Sequence, residues 1–499
     1  MKFADLLQGV EVLAQSGNPT ITGVEYDSRQ IKSGDVFVAM KGETSDGNRF
    51  TDQAIAVGAV AVVTDSDRTP ENAPWARVAR GRRALAGIST NFYNRPAEKL
   101  GITGITGTNG KSTTAFLLES ILQADRRKNA LIGTIEYHVA GKVLPAPHTT
   151  PESLDLQRLF RDAVDAGATE AVMEVSSHAL AQERTFGIPF DVAVFTNLTR
   201  DHLDYHKSMD EYFAAKRILF AGCGSAPPRV SVINADDEYG VKLIDFCRRQ
   251  NSEVITYGMS KGDFHSAKLE ISPTGTRFVM VTPDAEIDVK SALIGRVNVY
   301  NALAASAAAY ARGCPLDTIA AGIARMARVP GRFERVDCGQ PFTVVVDYAH
   351  TDDALRNLTS LARELVKPSR GRVITVFGCG GDRDRKKRPL MGEAAGRGSE
   401  LVVLTSDNPR SEDPLAIIND AVVGLQRSNT KYAIEADRRA AINVAVQEAR
   451  SGDIVLIAGK GHEKIQITRE GAAPFDDMLV AAEALRSLGY DCSRIGAGA

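Results

Sequence analysis

The sequence predicts an α/β protein of three domains, and three observations carry that expectation. Its 499 residues exceed what one hydrophobic core serves. Apolar strand-like runs alternate with helical stretches along most of the chain, the signature of a parallel sheet covered on both faces. The pattern also changes near Lys99 and restarts after Pro330–Gly331, so it is divided rather than continuous.

Residues 1–97 hold the short β-rich pieces ITGVEYDS, DVFVAMKG and AVAVVTDS, with one helical stretch around FTDQAIAVGA. They predict a small α/β domain. Residues 98–331 begin with the strand ITGIT, a glycine loop and the helical run STTAFLLESILQ, followed by the strands EAVMEVS, DVAVFTNL and RVSVIN. This segment predicts a P-loop-type domain on a parallel sheet. Pro330 and Gly331 then end a helical segment, and residues 332–499 restart the alternation with FTVVVDYAH, RVITVFGC, ELVVLTSD and DIVLIAGKG. They predict a Rossmann-like C-terminal domain.

Composition narrows the class. An apolar fraction of 43% and a charged fraction of 24% describe an ordinary globular chain. With 60 basic and 62 acidic residues, no bulk field draws it to nucleic acid or to a membrane surface. Six scattered cysteines without a CxxC pair argue against a disulfide framework or a zinc site and suit a reducing compartment. The N-terminus MKFADLLQGVEVLAQSG has no basic segment followed by a long apolar one, and no apolar run approaches membrane-spanning length. The expectation is a cytoplasmic enzyme, monomeric, with no nucleic-acid partner and no membrane insertion.

The loop TGTNGKST follows a strand and opens a helix, where backbone N–H groups close on a phosphate chain. Gly107, Thr108, Asn109 and Gly110 form the turn; Lys111 reaches the outer phosphates, and Ser112 and Thr113 supply hydroxyls, that of Ser112 for magnesium. The spacing departs from the strict GxxxxGK[ST] pattern, since Ile105 stands where glycine is expected. A generic kinase or GTPase fits that pattern better, so the variant points to a subset of ATP users.

Five of the eight histidines (His178, His202, His206, His350 and His462) fall in short polar motifs at the ends of apparent strands or helices. EVSSHAL places Glu174 and Ser176 after one strand, and NLTRDHLDYH follows another. Ligand sites in open α/β sheets lie at the carboxyl ends of strands, so these loops and the glycine loop share one crevice. His202 and His206 have HExxH spacing, but Leu203 replaces the catalytic glutamate, which excludes a zinc protease. Glu174 and His202 beside a nucleotide read as magnesium ligands or their support. Lys216 lies in DEYFAAKRILF among apolar neighbours; if its amine is buried there, its pKa falls and it becomes modifiable. Finally, the turn TSDNPRSEDP leaves the strand ELVVLT with an acid, an amide, a proline and an arginine in succession: Asp407, Asn408, Pro409 and Arg410.

In one order the chain carries TGTNGKST, EVSSHAL, NLTRDHLDYH, AAK, GRVNVYNALAA, PGRFE, VDYAHT, GCGGDRDRKKRPLM, SDNPR and GKGHE, and YDSRQIKSGDVFVAMKG extends the set into the first domain. Together these resemble the Mur ligases over nearly the whole chain. The resemblance implies an ATP-dependent amide ligase of peptidoglycan synthesis, using ATP and Mg2+, which activates a carboxylate as an acyl phosphate and couples it to an amine. It implies that Ser112, Glu174, His202 and a carbamylated Lys216 hold the metal, and that Asn301, Arg332, Asp347 and His350 join the glycine loop around ATP. Lys111, Glu174, His202 and Lys216 become the catalytic set. Tyr26, Ser28, His148, Thr149, Thr150, Ser176, Gln182 and Arg184 occupy the positions that bind the UDP-sugar peptide, here UDP-N-acetylmuramoyl-L-alanyl-D-glutamate.

Family members that add meso-diaminopimelate carry DNPR at the turn. Arg410 then binds the additional carboxylate of that amino acid, while Asp407 and Asn408 hold its ammonium group. Pro409, Arg383, Gly459 and Glu463 resemble the rest of the pocket. Folylpolyglutamate synthetase, which shares the architecture, is not expected to carry SDNPR with the full NLTRDHLDYH and GKGHE set.

Overall fold

A computed structural model describes residues 1–42 and 45–493. Each domain is built on its own sheet. The first has strands β1 (Val12–Ser16), β2 (Gly23–Glu25), β3 (Asp35–Ala39), β4 (Ala61–Thr64) and β5 (Trp75–Val78), in the spatial order β1-β5-β4-β3-β2. Only β1 runs antiparallel to its neighbour.

The central sheet contains β6 (Gly101–Thr106), β7 (Asn129–Ile132), β8 (Glu136–Val139), β9 (Lys142–Pro145), β10 (Glu170–Glu174) and β11 (Val192–Phe195). It continues through β12 (Val230–Asn234), β13 (Glu253–Gly258), β14 (Phe264–Ser272), β15 (Gly275–Val281) and β16 (Glu286–Ser291). The order is β16-β15-β14-β13-β12-β11-β6-β10-β7-β8-β9. Its middle is parallel, and β10, β11 and β12 are buried along their whole length because helices cover both faces. Both edges depart from the parallel expectation: β8 and β9 extend one side, and β15 and β16 the other, as antiparallel hairpins. Short turns join these strands, and a short turn permits only antiparallel pairing.

The third sheet comprises β17 (Glu334–Val336), β18 (Thr343–Asp347), β19 (Val373–Phe377), β20 (Leu401–Leu404), β21 (Lys431–Ile434) and β22 (Ile454–Ala458). Their order is β17-β18-β22-β19-β20-β21, parallel except for β17. A separate hairpin of β23 (Ile465–Thr468) and β24 (Gly471–Pro474) follows. The carboxyl ends of β20 and β22 lie near each other across β19, so the turns that leave them converge. The intervening helices start where the sequence supplies caps: Asp413 precedes Pro414–Leu425, and Asp437 precedes Arg438–Glu448.

The cysteine expectation needs correction. Cys338 and Cys492, separated by 154 positions, form a disulfide, while Cys223, Cys247, Cys314 and Cys379 are buried thiols. Spacing rules detect only local cysteine motifs. This pair meets because the chain after the helix Asp477–Ser487 returns to the segment that follows β17. The cysteine pattern therefore gives no argument for a reducing compartment. No helix among the described residues is long and apolar enough to cross a membrane.

Candidate active site

The glycine loop leaves β6 and opens the helix Lys111–Ala124, as its sequence predicts. Gly107 has φ +148°, and a Cβ there would lie 1.8 Å from Thr196 Oγ1, so only glycine lets the loop pack against β11's exit. Lys111 Nζ donates to the carbonyls of Gly107 (3.0 Å) and Thr108 (2.9 Å). Lys216, on the helix Met209–Phe220, reaches the same Gly107 carbonyl at 2.8 Å and lies 4.6 Å from the Tyr212 ring centre. Burial, reinforced by the neighbouring charge of Lys111, pushes the Lys216 amine well below its usual range. Burial likewise lowers Lys111.

Around this loop lies a cavity of about 340 Å3 at the junction of the second and third domains. Thr108 through Thr113, Glu174, His202, Asn301, Arg332, Asp347 and His350 line it, as do Thr149 and Ser176. Gly107 and Lys216 sit beneath it. Glu174 accepts from Thr134 N (2.8 Å) and Thr134 Oγ1 (3.0 Å), which fixes both its oxygens. Burial keeps His202 neutral against the pull of Asp201, 3.5 Å away. Burial would raise Asp201 itself, but the charge of Lys387 and the backbone N–H of His202 (2.9 Å) hold it below the usual carboxylate range. Asp347 is raised by burial and accepts from the backbone of Phe333 (2.7 Å) and Ala349 (2.8 Å). It thereby fixes the chain where one domain passes into the next.

The third domain closes directly onto the loop. Arg332 Nη2 donates to Ser112 Oγ at 3.2 Å, and Asn109 Nδ2 to Asp353 Oδ2 at 2.9 Å. Arg200–Asp384 (3.4 Å) and Lys387–Asp201 (3.6 Å) bridge the same boundary. Thr134, Asp201 and Lys387 escaped the sequence reading, although Asp201 adjoins His202 in a motif already singled out. Among the described residues, no group of three or more His, Cys, Asp or Glu could hold a metal by itself. The oxygens of Ser112 and Glu174 face one cavity, a donor set that suits magnesium when phosphate oxygens complete the shell.

Of the residues expected to bind the sugar peptide, Thr149 and Ser176 line the cavity and the others lie outside its lining. Thr150 is buried, with its Oγ1 donating to Glu174 O (2.9 Å). Arg184 joins the Thr150 carbonyl (3.0 Å), Gln182 Oε1 (2.8 Å) and Glu152 (3.1 Å). Tyr26 donates to Asp155 (2.9 Å) from the first domain, Ser28 is half-buried in the turn after β2, and His148 is exposed. The first domain is anchored by Arg82–Glu152 (2.9 Å) and Arg83–Glu183 (2.8 Å).

A second cluster forms where β20 and β22 end. Asp407 and Asn408 are buried, and Arg410 is half-buried at φ +52°. Arg410 Nη1 donates only to carbonyls, Gly381 O at 2.8 Å and Asn408 O at 3.4 Å. Burial and the like charge of Arg383 lower its pKa. Among the described residues neither arginine pairs with a carboxylate. Gly459, at φ +116°, lets the second turn approach: a Cβ there would lie 2.8 Å from Asp407 Oδ2.

Three domain profiles match the chain: the Mur ligase family catalytic domain over residues 20–93, the Mur ligase middle domain over 105–309, and the Mur ligase glutamate ligase domain over 331–461. A Solibacter usitatus protein named UDP-N-acetylmuramoyl-L-alanyl-D-glutamate–2,6-diaminopimelate ligase is 54% identical, covering 98% of this chain and 99% of that one. The chain belongs to the Mur ligase family. A Geobacillus kaustophilus protein of the same name is 45% identical over 95% of this chain and 96% of its own. A solved structure with that ligase name superimposes with a TM-score of 0.68 at 33% identity, covering 98% of this chain and 99% of the other. The Mur ligase order of three domains is thus present in full; the glycine loop and the Asp347 turn line one cavity, and the DNPR turn forms a separate cluster where β20 ends.

Proposed function

We propose that this Mur ligase adds meso-diaminopimelate to UDP-N-acetylmuramoyl-L-alanyl-D-glutamate at the expense of ATP, as a monomeric cytoplasmic enzyme of peptidoglycan precursor synthesis. The observation that carries the choice of amino acid is Arg410, half-buried beside the exposed Arg383, its side chain bonded only to carbonyls and neither arginine paired with a carboxylate among the described residues. An arginine stays charged when buried, so such a pair favours an anion, and a planar carboxylate matches the guanidinium fork. The acids Asp407 and Glu463 beside it suit the neighbouring ammonium. Diaminopimelate presents both groups at its far end; lysine presents only the second.

In the chemical step a glutamyl carboxylate oxygen attacks the γ-phosphorus, and the bond to the ADP oxygen breaks. The amine nitrogen then attacks the acyl carbon, a C–N bond forms, the C–O bond to phosphate breaks, and the nitrogen loses a proton. Lys111 and Arg332 offset the charge gathering on the transferred group, and the N–H groups of the glycine loop hold the remaining phosphates. Ser112 and Glu174, with His202 and a carbamylated Lys216, would hold Mg2+, which supplies charge neutralisation when bound. The neutral amine of Lys216 is the form that combines with carbon dioxide, losing one proton to give the carbamate. Intact-mass measurement with and without bicarbonate tests that modification.

Phosphate release by the purified protein, measured with ATP, the UDP-sugar dipeptide and diaminopimelate, lysine or glutamate in turn, tests the function. Release with diaminopimelate alone is expected. Comparable release with lysine or glutamate overturns the assignment.

A further inference from the structure

Beneath the amino-acid pocket lie two basic side chains that the reaction scheme leaves unused. Lys460 is fully buried, and its Nζ donates to Asn408 Oδ1 (3.1 Å) and Glu463 Oε2 (3.1 Å), with Asp407 Oδ1 at 3.8 Å. Asn408 Oδ1 also accepts from Ile467 N (2.9 Å), and Asn408 Nδ2 donates to Glu463 Oε2 (2.9 Å). Both acceptor sites of the Asn408 carbonyl are therefore filled within the protein. An ammonium ligand finds its acceptors instead at Asp407 Oδ2 and Glu463 Oε1, the oxygens these contacts leave over.

Below this layer Arg438 forms a buried fork with Asp477, at 2.8 and 2.7 Å. Its other N–H groups reach the carbonyls of Ala458 (3.0 Å) and Ser406 (3.4 Å). Those two carbonyls stand where the chain leaves β22 and β20. A buried ion pair contributes little net stability compared with apolar side chains of the same size. What an apolar pair would not do is hold two carbonyls at fixed positions.

We propose that Lys460 is a specificity-determining positioning residue: through Asn408 and Glu463 it fastens the SDNPR turn to the GKGHE turn, and so fixes the distance between the ammonium acceptors and Arg410. The Arg438–Asp477 pair sets the depth of both turns from below. The Asn408 carbonyl thus acts through Lys460, while the second N–H of its Nδ2 stays open to the ligand. This inference rests on the proposed amino-acid pocket.

The test is a double-mutant cycle on the full-length chain with Lys460→Met, Asn408→Ala and both together. Phosphate release is followed against diaminopimelate, lysine, ATP and the UDP-sugar dipeptide. Each single variant is expected to raise KM for diaminopimelate about tenfold or more, the size expected when a buried polar partner is lost. The preference over lysine should fall in parallel, with KM for ATP within about twofold, and the double variant should be little worse than either single one. Additive losses, or equal rises in KM for every substrate, overturn the proposal. If Lys460→Met does not fold, Arg438→Met/Asp477→Leu replaces it, with a smaller rise confined to the amino acid expected and an unchanged KM for the amino acid counting against. Should the unaltered chain prefer lysine or glutamate, the proposed substrate falls, while the Lys460–Asn408 coupling is still read on the amino acid it accepts.

Discussion

Two regions of the molecule each set two basic side chains side by side, and the choice of residue separates them. At the glycine loop, Lys111 and Lys216 converge on one backbone carbonyl; burial pushes both amines down, and the charge of Lys111 pushes Lys216 further. At the amino-acid pocket, Arg383 crowds Arg410 in the same way, yet a guanidinium starts so high that it keeps its charge. In the first arrangement Lys216 gives up its charge beside Lys111 and gains a reactive amine; in the second the guanidinium retains its charge and favours an anion. Burial of a lysine thus favours a modifiable amine in one place, and partial burial of an arginine suits the proposed carboxylate site in the other.

The largest expected effect tests the receptor side. Arg410→Ala should lower kcat/KM for diaminopimelate by about 10^4-fold, the range seen when a built polar contact is lost, while leaving that for lysine nearly unchanged. An equal loss with both amino acids would break the comparison, because Arg410 would then support the loop and not read the ligand. Next, Lys111→Met should reduce kcat by about 10^2–10^3-fold with every amino acid alike, as removal of one charge-stabilising donor does. Steady-state kinetics with both amino acids checks this, and a loss confined to one of them would contradict a role at the phosphates.

A smaller effect is expected from Gly459→Ala. The new Cβ would lie 2.8 Å from Asp407 Oδ2 at a backbone φ of +116°, so the GKGHE turn must shift. KM for diaminopimelate should rise about tenfold, corresponding to roughly 1–2 kcal/mol of strain and lost contact, with KM for ATP unaltered. The smallest effect concerns His138, behind the nucleotide helix. Burial pulls its pKa down, but hydrogen bonds to Glu119 and Glu136 outweigh it and raise the imidazole to about 9. A raised folded pKa means that the stabilisation is full below the ordinary value of 6.5 and is lost as pH rises through about 9. The melting temperature should therefore fall less between pH 7 and 9 in His138→Gln than in the unaltered protein, as read by calorimetry. Parallel declines would remove His138 from the account.

Much of the nucleotide side was legible because it is local. Gly107 to Thr113 are consecutive, and strand, turn and helix around them follow from periodicity and glycine placement. The amino-acid side was legible only in part. The SDNPR turn stood out, but the sequence did not show that the Asn408 carbonyl accepts from Lys460 and Ile467. Lys460 lay inside a recognised motif without attracting notice, and Arg438, in the segment EADRRA, carried no signal at all. A buried arginine looks like a solvated one until its partner, 39 residues away, is placed beside it.

The sequence alone determined the three-domain α/β order, the glycine loop and the place of the SDNPR turn after its strand, since each depends on neighbours along the chain. The tertiary structure decided which groups face one another. It added antiparallel hairpins to both edges of the central sheet, joined Cys338 to Cys492, and set Asp201 between two histidines and Lys387. Among the described residues it also left Arg383 and Arg410 without an acid partner, while burying Lys460 fully. Burial and the distance between remote charges fix those outcomes, and neither quantity is written in the order of residues.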